Sequence, residues 1–180
     1  MMEQILDDYD SAYQLRSVRL RYFNAAGAEP EEDLGERHEP ETHLIPLVMQ
    51  TLSGRRDIFY LYGDDYNTPD GTCIRDYIHV IDLCSAHLFA LNYLLSGGKS
   101  VTFNLGYGTG YSVREIINMA ENITGQKLRF VIKPKRDGDA PELVADSQRC
   151  RDELGWSPTC NSLEKIITDA WAWEKKYPWN

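Results

Sequence analysis

The sequence predicts a mixed α/β fold. Short apolar runs that read as strands alternate with longer segments whose apolar residues recur at helical spacing, and glycine follows several of them as a stop. No internal repeat or low-complexity linker breaks the pattern.

Glu3 to Leu15 reads as the end of a helix, and Ser17 to Phe23, with Val18, Leu20 and Tyr22 alternating, as a strand that stops at Asn24 and Gly27. The acidic stretch from Glu29 to Glu41 reads as a solvated loop. Leu44 to Ser53 carries Leu44, Leu47, Val48 and Leu52 on a helical face, and Gly54 ends it. Ile58 to Tyr62 is a short strand. A turn from Asp64 to Gly71 leads into a strand from Cys73 to Ile78 and then a helix with Leu83, Ala86, His87, Ala90, Leu91 and Leu94 on one face, closed by Gly97 and Gly98. Val101 to Leu105 is a strand. Ser112 and Glu115 make a capping box for a helix that buries Val113, Ile116, Ile117 and Ala120 and ends at Gly125. Leu128 to Ile132 is a further strand and Lys133 to Ala145 a loop. A short helix ends near Gly155, and Leu163, Ile166, Ile167, Ala170 and Trp171 mark the last one.

Composition bounds the function. At 180 residues, 42% hydrophobic and 26% charged, the chain has material for one sizeable globular domain. No apolar run approaches the roughly 20 residues that span a membrane, and the N-terminus shows no export signal, so a cytoplasmic protein is expected. A formal charge of −9 argues against nucleic acid as a partner, because phosphate binding is driven by clustered Lys and Arg. Cys73, Cys84, Cys150 and Cys160 have neither Cys-x-x-Cys spacing nor histidine partners in sequence, so no metal is expected.

A few residues carry chemistry on their own terms. Arg75 presents planar donors that could grip diphosphate oxygens, or it could pair with the adjacent Asp76 on the surface. Asn24 follows a strand, where open α/β sheets present ligand-contacting groups, although a plain turn former has the same appearance. Gly106-Tyr107-Gly108-Thr109-Gly110 follows a strand and precedes a capped helix, but its spacing is a poor imitation of a dinucleotide-binding turn, and no acidic residue follows at the next strand. His79 and His87 read as structural.

Three runs taken together carry a family resemblance. They are Asp64-Asp65-Tyr66-Asn67-Thr68-Pro69-Asp70-Gly71-Thr72-Cys73-Ile74-Arg75-Asp76-Tyr77-Ile78-His79-Val80-Ile81-Asp82-Leu83, then Arg21-Tyr22-Phe23-Asn24-Ala25-Ala26-Gly27, and Phe103-Asn104-Leu105-Gly106-Tyr107-Gly108-Thr109-Gly110-Tyr111-Ser112. The chain resembles the UDP-glucose 4-epimerases of the extended short-chain dehydrogenase/reductase superfamily, from Met2 to about Trp173. The insertion from Asp64 to Thr72 favours these over related NDP-sugar dehydratases and decarboxylases, which stand as the enzyme alternative.

The resemblance implies the last part of a Rossmann-type NAD domain at 1–27 and a smaller mixed α/β substrate-binding domain at 28–180, with the 79–98 helix packing back on the NAD domain. It implies redox epimerisation at the sugar C4, in which a tyrosinate takes the hydroxyl proton while NAD takes the hydride. Arg75 and Arg136 would hold the UDP diphosphate and Asp139 the uridine ribose. Asn24, His43 and Leu44 would approach the sugar and diphosphate, and Tyr60 and Tyr62 would frame the uracil. Tyr22 and Phe23 would pass close to the nicotinamide. Leu143 stands where side-chain volume is associated with tolerance of an N-acetyl group, and its size favours UDP-glucose and UDP-galactose.

The family's Tyr-x-x-x-Lys pair and Gly-rich NAD loop are not in the sequence. Aligned on Met1-Met2-Glu3-Gln4-Ile5-Leu6, the lysine would fall two positions before Met1. The expectation is therefore a C-terminal, UDP-sugar-binding portion of an epimerase of galactose metabolism, inactive alone, with NAD bound mainly by an absent N-terminal half and a homodimer formed by the complete enzyme. A non-catalytic UDP-sugar-binding remnant is the alternative of another class.

Overall fold

The computed structural model describes residues 1–29 and 31–176. The last four residues of the 28–180 unit expected from the sequence lie outside them. Helix α1, Met2–Tyr13, ends where Gln14 turns left-handed, and none of its residues is buried. Strand β1, Val18–Tyr22, is followed after one residue by β2, Asn24–Ala26. Helix α2 is Leu44–Leu52 and strand β3 is Phe59–Tyr62. Strand β4, Ile74–His79, feeds helix α3, Val80–Leu95. Then come β5, Val101–Leu105, β6, Gly110–Ser112, and helix α4, Val113–Thr124. The chain continues through β7, Phe130–Lys133, β8, Glu142–Leu143, α5, Gln148–Leu154, and α6, Leu163–Lys176.

The strands fall into three small sets. β1 runs parallel to β5, with Leu20 opposite Phe103, and β3 runs parallel to β7, with Leu61 opposite Ile132. β4 is the hub of the third set. Its C-terminal half pairs with β2 in parallel, and its N-terminal half takes β6 on an antiparallel ladder and β8 on a parallel one.

Three features depart from the sequence reading. The strand read as stopping at Asn24 breaks at Phe23 and resumes as β2, leaving β5 for β4. Two-residue β8 lies inside the stretch read as loop, and three-residue β6 lies just ahead of the capping box. Each is too short for a periodic signal and exists because β4 offers it backbone partners.

Two apolar cores organise the chain. The larger joins α2, α4 and α6, with Val48, Ile116, Ile166 and Ile167 fully buried against Phe59 and Leu61 of β3. The smaller unites Ile78, Leu83 and Ala86 with Val101, Phe103 and Leu105, and adds Cys150 and Trp156. Val18 and Leu20 of β1 pack on that second core, so it spans segments on both sides of residue 27.

Buried carboxylates tie the layers. Asp82 accepts from the Thr159 and Cys160 amides at 2.8 and 2.9 Å and from the Tyr107 hydroxyl at 2.6 Å. His79 caps α3 through Nδ1, and its Nε2 meets Asp169 of α6 at 2.9 Å. A buried acceptor left without such donors would cost about 1–3 kcal/mol, more when charged, so these contacts fix the elements in place.

Candidate functional site

The structure opens a cavity of about 1190 Å³ beside β4. Side chains two apart on a strand share a face, and Cys73, Arg75 and Tyr77 accordingly all line it. The turn ahead of β4 is built by its own chemistry. Asp70 accepts from the Thr72 amide and hydroxyl at 2.9 and 2.7 Å and also from the Ser112 hydroxyl, which pins the turn to the start of α4. Gly71 adopts φ 80, and a Cβ there would overlap the Asp64 carbonyl oxygen.

Arg75 does not pair with Asp76. Its guanidinium is ion-paired with Asp139, 64 residues on, and donates to the Ile74 carbonyl at 2.7 Å. The other Asp139 oxygen accepts from the Tyr66 hydroxyl at 3.3 Å. Burial, then the Asp139 charge, pushes the Tyr66 phenol above its ordinary value. Arg136 stacks on the Tyr62 ring, 4.3 Å from its centroid, and Lys133 lies 5.1 Å from the centroid of Tyr60. Arg75, Arg136 and Asp139 therefore share one cavity with the Tyr60 and Tyr62 rings.

Asp76 has a different role. It is 1% exposed and accepts from the amides of Tyr107 and Gly108 at 3.0 Å each and of Ala145 at 3.2 Å. A Cβ on Gly106 would collide with that carboxylate, so glycine is required for the approach. The Tyr107 and Gly108 amides of the Gly106 to Gly110 loop are thus spent on Asp76 and not open to a phosphate.

Tyr22, Phe23, Asn24, His43, Leu44, Tyr60, Tyr62, Arg75, Arg136 and Asp139 all line the cavity. Asn24 donates its side-chain amide to the Asp76 carbonyl at 2.8 Å, which fixes it against β4. Leu143 pairs with Arg75 across the β8 ladder, but it is 42% exposed and not part of the cavity wall. His79 and His87 have structural partners, the latter bonding the Leu83 carbonyl at 2.8 Å.

Sequence reasoning missed Tyr66, read only as part of a turn, and a cluster of Glu36, His38, Glu41 and His43 on the same cavity. The Glu-x-His-x-x-Glu-x-His spacing was the available signal, in a stretch read as solvated loop.

The parallel strands and crossing helices form a Rossmann-like α/β fold beside a cavity that carries Arg75 and Arg136. The model of the GDP-mannose 4,6 dehydratase family matches residues 1–170, and the chain belongs to that family. Within it, the chain resembles UDP-glucose 4-epimerases. It is 50% identical over 178 residues to the UDP-glucose 4-epimerase of Streptococcus mutans, covering 99% of this chain and 54% of that one. The Brucella ovis epimerase, solved in complex with NAD, superimposes with a TM-score of 0.91 at 48% identity, over 94% of this chain and 52% of that one. The Bifidobacterium longum epimerase, in complex with NAD+ and UDP, gives 0.90 at 38% identity, over 98% and 52%. The chain thus spans about half the length of the relatives it matches.

These comparisons correct one expectation. NAD was assigned mainly to an absent N-terminal half, but the part of the NAD-bound epimerase fold that this chain matches is itself Rossmann-like and covers nearly the whole chain. The assignment of NAD mainly to an absent N-terminal half is therefore not kept. Tyr22 and Phe23 are both nearly half exposed on the cavity.

Proposed function

We propose that this chain forms the UDP-sugar site of a UDP-glucose/UDP-galactose 4-epimerase of galactose metabolism. The observation that carries the reading is the grouping of Arg75, Arg136 and Asp139 on one cavity with Tyr22, Phe23 and Asn24. A nucleoside diphosphate needs bidentate donors for its phosphates, an acceptor for its ribose and a flat surface for its base. Arg75 and Arg136 are assigned to the diphosphate, Asp139 to the ribose hydroxyls, and Tyr60 and Tyr62 to the uracil. Asn24, His43 and Leu44 border the hexose. Affinity concentrated on the UDP leaves the hexose loosely held, which epimerisation through a rotating keto sugar requires.

Tyr22 and Phe23 border the nicotinamide in this reading. NAD, when bound, supplies the hydride acceptor and donor at C4. UDP-glucose and UDP-galactose are favoured over N-acetylated hexoses on the volume of Leu143, although that side chain lies outside the cavity wall. The division at residue 27, a cytoplasmic location and a homodimer belong to the same proposal, as does the absence of nucleic-acid and membrane partners. No described helix is long and apolar enough to cross a membrane.

The chain by itself is proposed not to epimerise. It contains no Tyr-x-x-x-Lys, and Tyr77, which lines the cavity, has its phenol raised by burial, opposite to what proton acceptance by a tyrosinate requires. A UDP-sugar-binding module without turnover is accordingly the second reading, and the related dehydratases and decarboxylases the third. Calorimetric titration with UDP, beside an epimerisation assay with UDP-galactose and NAD, tests them. Binding without turnover is expected; the absence of any heat with UDP would reject the site, and turnover would reject the inactivity.

A further inference from the structure

Glu36, His38, Glu41 and His43 lie within eight residues of chain and converge on the cavity, with one ligand atom from each within 4.8 Å of all the others. Both imidazole Nδ1 atoms approach the same Glu36 oxygen, at 2.9 Å from His38 and 2.8 Å from His43. Glu41 closes the group, 3.0 Å from the His43 ring and 4.0 Å from the His38 ring. We propose that these four side chains form a site for a divalent transition metal of the zinc type.

The donor set points to that class of ion. Imidazole nitrogens select zinc, cobalt or nickel over magnesium and calcium, which favour oxygen ligands only, and two carboxylates with two neutral imidazoles leave two negative charges for a dication to balance. The spacing suits it too. Ligands at about 2.0–2.2 Å from a tetrahedral zinc stand roughly 3.3–3.6 Å apart, so the 2.8 Å contact opens by about 0.5–0.8 Å and the wider pairs, all within 4.8 Å, draw in by about 1.5 Å at most. His38 and His43 are 54% and 55% exposed and can make that shift.

Glu41 is the fixed member. Its side chain is 5% exposed, and Oε1 accepts from the amides of Thr42 and His43 at 2.7 and 2.8 Å. Backbone donors of this kind orient a ligating carboxylate before the metal arrives. His43 is also the N-cap of α2 without a side-chain cap bond, so its ring is not committed to the helix. His43 is shared with the hexose end of the proposed UDP-sugar site, but the metal site does not rest on the assignment of UDP to Arg75 and Arg136.

The test uses the whole chain freed of metal with a chelator and titrated with zinc chloride at about pH 7.5, with cobalt as a spectroscopic probe. One ion per chain is expected, with a tetrahedral cobalt band in the visible. His38→Ala and Glu36→Gln should each weaken uptake at least tenfold while circular dichroism stays unchanged. No uptake, uptake unchanged in both variants, or displacement of zinc by equimolar magnesium would each overturn the proposal. If the variants lose their folded spectrum, the tetrahedral cobalt band of the unaltered chain, lost on adding equimolar zinc and kept on adding equimolar magnesium, decides it.

Discussion

Arg75 and Asp139 come from β4 and from a loop 64 residues further on, and they form an ion pair on the cavity. The pair holds the guanidinium in place ahead of any ligand. A diphosphate would have to share or replace the carboxylate, and only a planar fork can serve both partners at once.

Arg75→Lys keeps the charge and loses the fork. UDP affinity should fall about ten- to a hundredfold, the equivalent of one charge-assisted hydrogen bond of roughly 1.5–3 kcal/mol. Titration calorimetry on the two proteins measures it, and equal affinities would remove Arg75 from the diphosphate site.

Asp76 is a structural residue despite its place beside Arg75. Asp76→Ala strands three amide donors, those of Tyr107, Gly108 and Ala145. Stability should drop by about 3 kcal/mol or more. Urea unfolding followed by fluorescence reports this; a loss below about 1 kcal/mol would mean that water replaces the carboxylate.

Asp70 sets part of the acid limb of stability. Burial acts to raise its carboxyl, but hydrogen bonds from Ser112 and Thr72 outweigh it and hold the group below its ordinary value. A group depressed in the folded state contributes stability above its unfolded pKa of about 3.9 and loses that contribution as pH falls through the folded value. The unfolding midpoints of the unaltered chain and Asp70→Asn should therefore differ most above about pH 4 and converge below it. A gap that is constant with pH would show that the carboxylate charge is not involved.

Helix α1 and the outward side of α3, opposite its buried Leu83, Ala86 and Ala90, carry apolar residues without cover. Ile5, Tyr9, Leu88, Leu91 and Leu95 are exposed, and among the described residues β1 pairs only with β5. Exposed apolar surface beside an open strand edge favours association. Sedimentation of the isolated chain should show concentration-dependent oligomers or aggregates. A monodisperse monomer with a sharp cooperative unfolding transition would refute this.

Local pattern determined the elements whose stabilising contacts are near in sequence. The capping box of Ser112 and Glu115, the stop at Gly125, the 3.6-residue faces of α2, α4 and α6, and the turn around Gly71 all follow from side chains within a few residues of one another. The motif around Arg75 likewise named a cavity residue before any geometry was known. Tertiary structure alone decided the rest. Whether Arg75 pairs with Asp76 or Asp139, and whether the Tyr107 and Gly108 amides face a phosphate or a buried carboxylate, depends on where distant backbone is brought. The strand break at Phe23 belongs with them, since β2 exists only by pairing with β4. A side chain's type restricts what it can bind, but its partner is set by long-range packing, and no local periodicity encodes that choice.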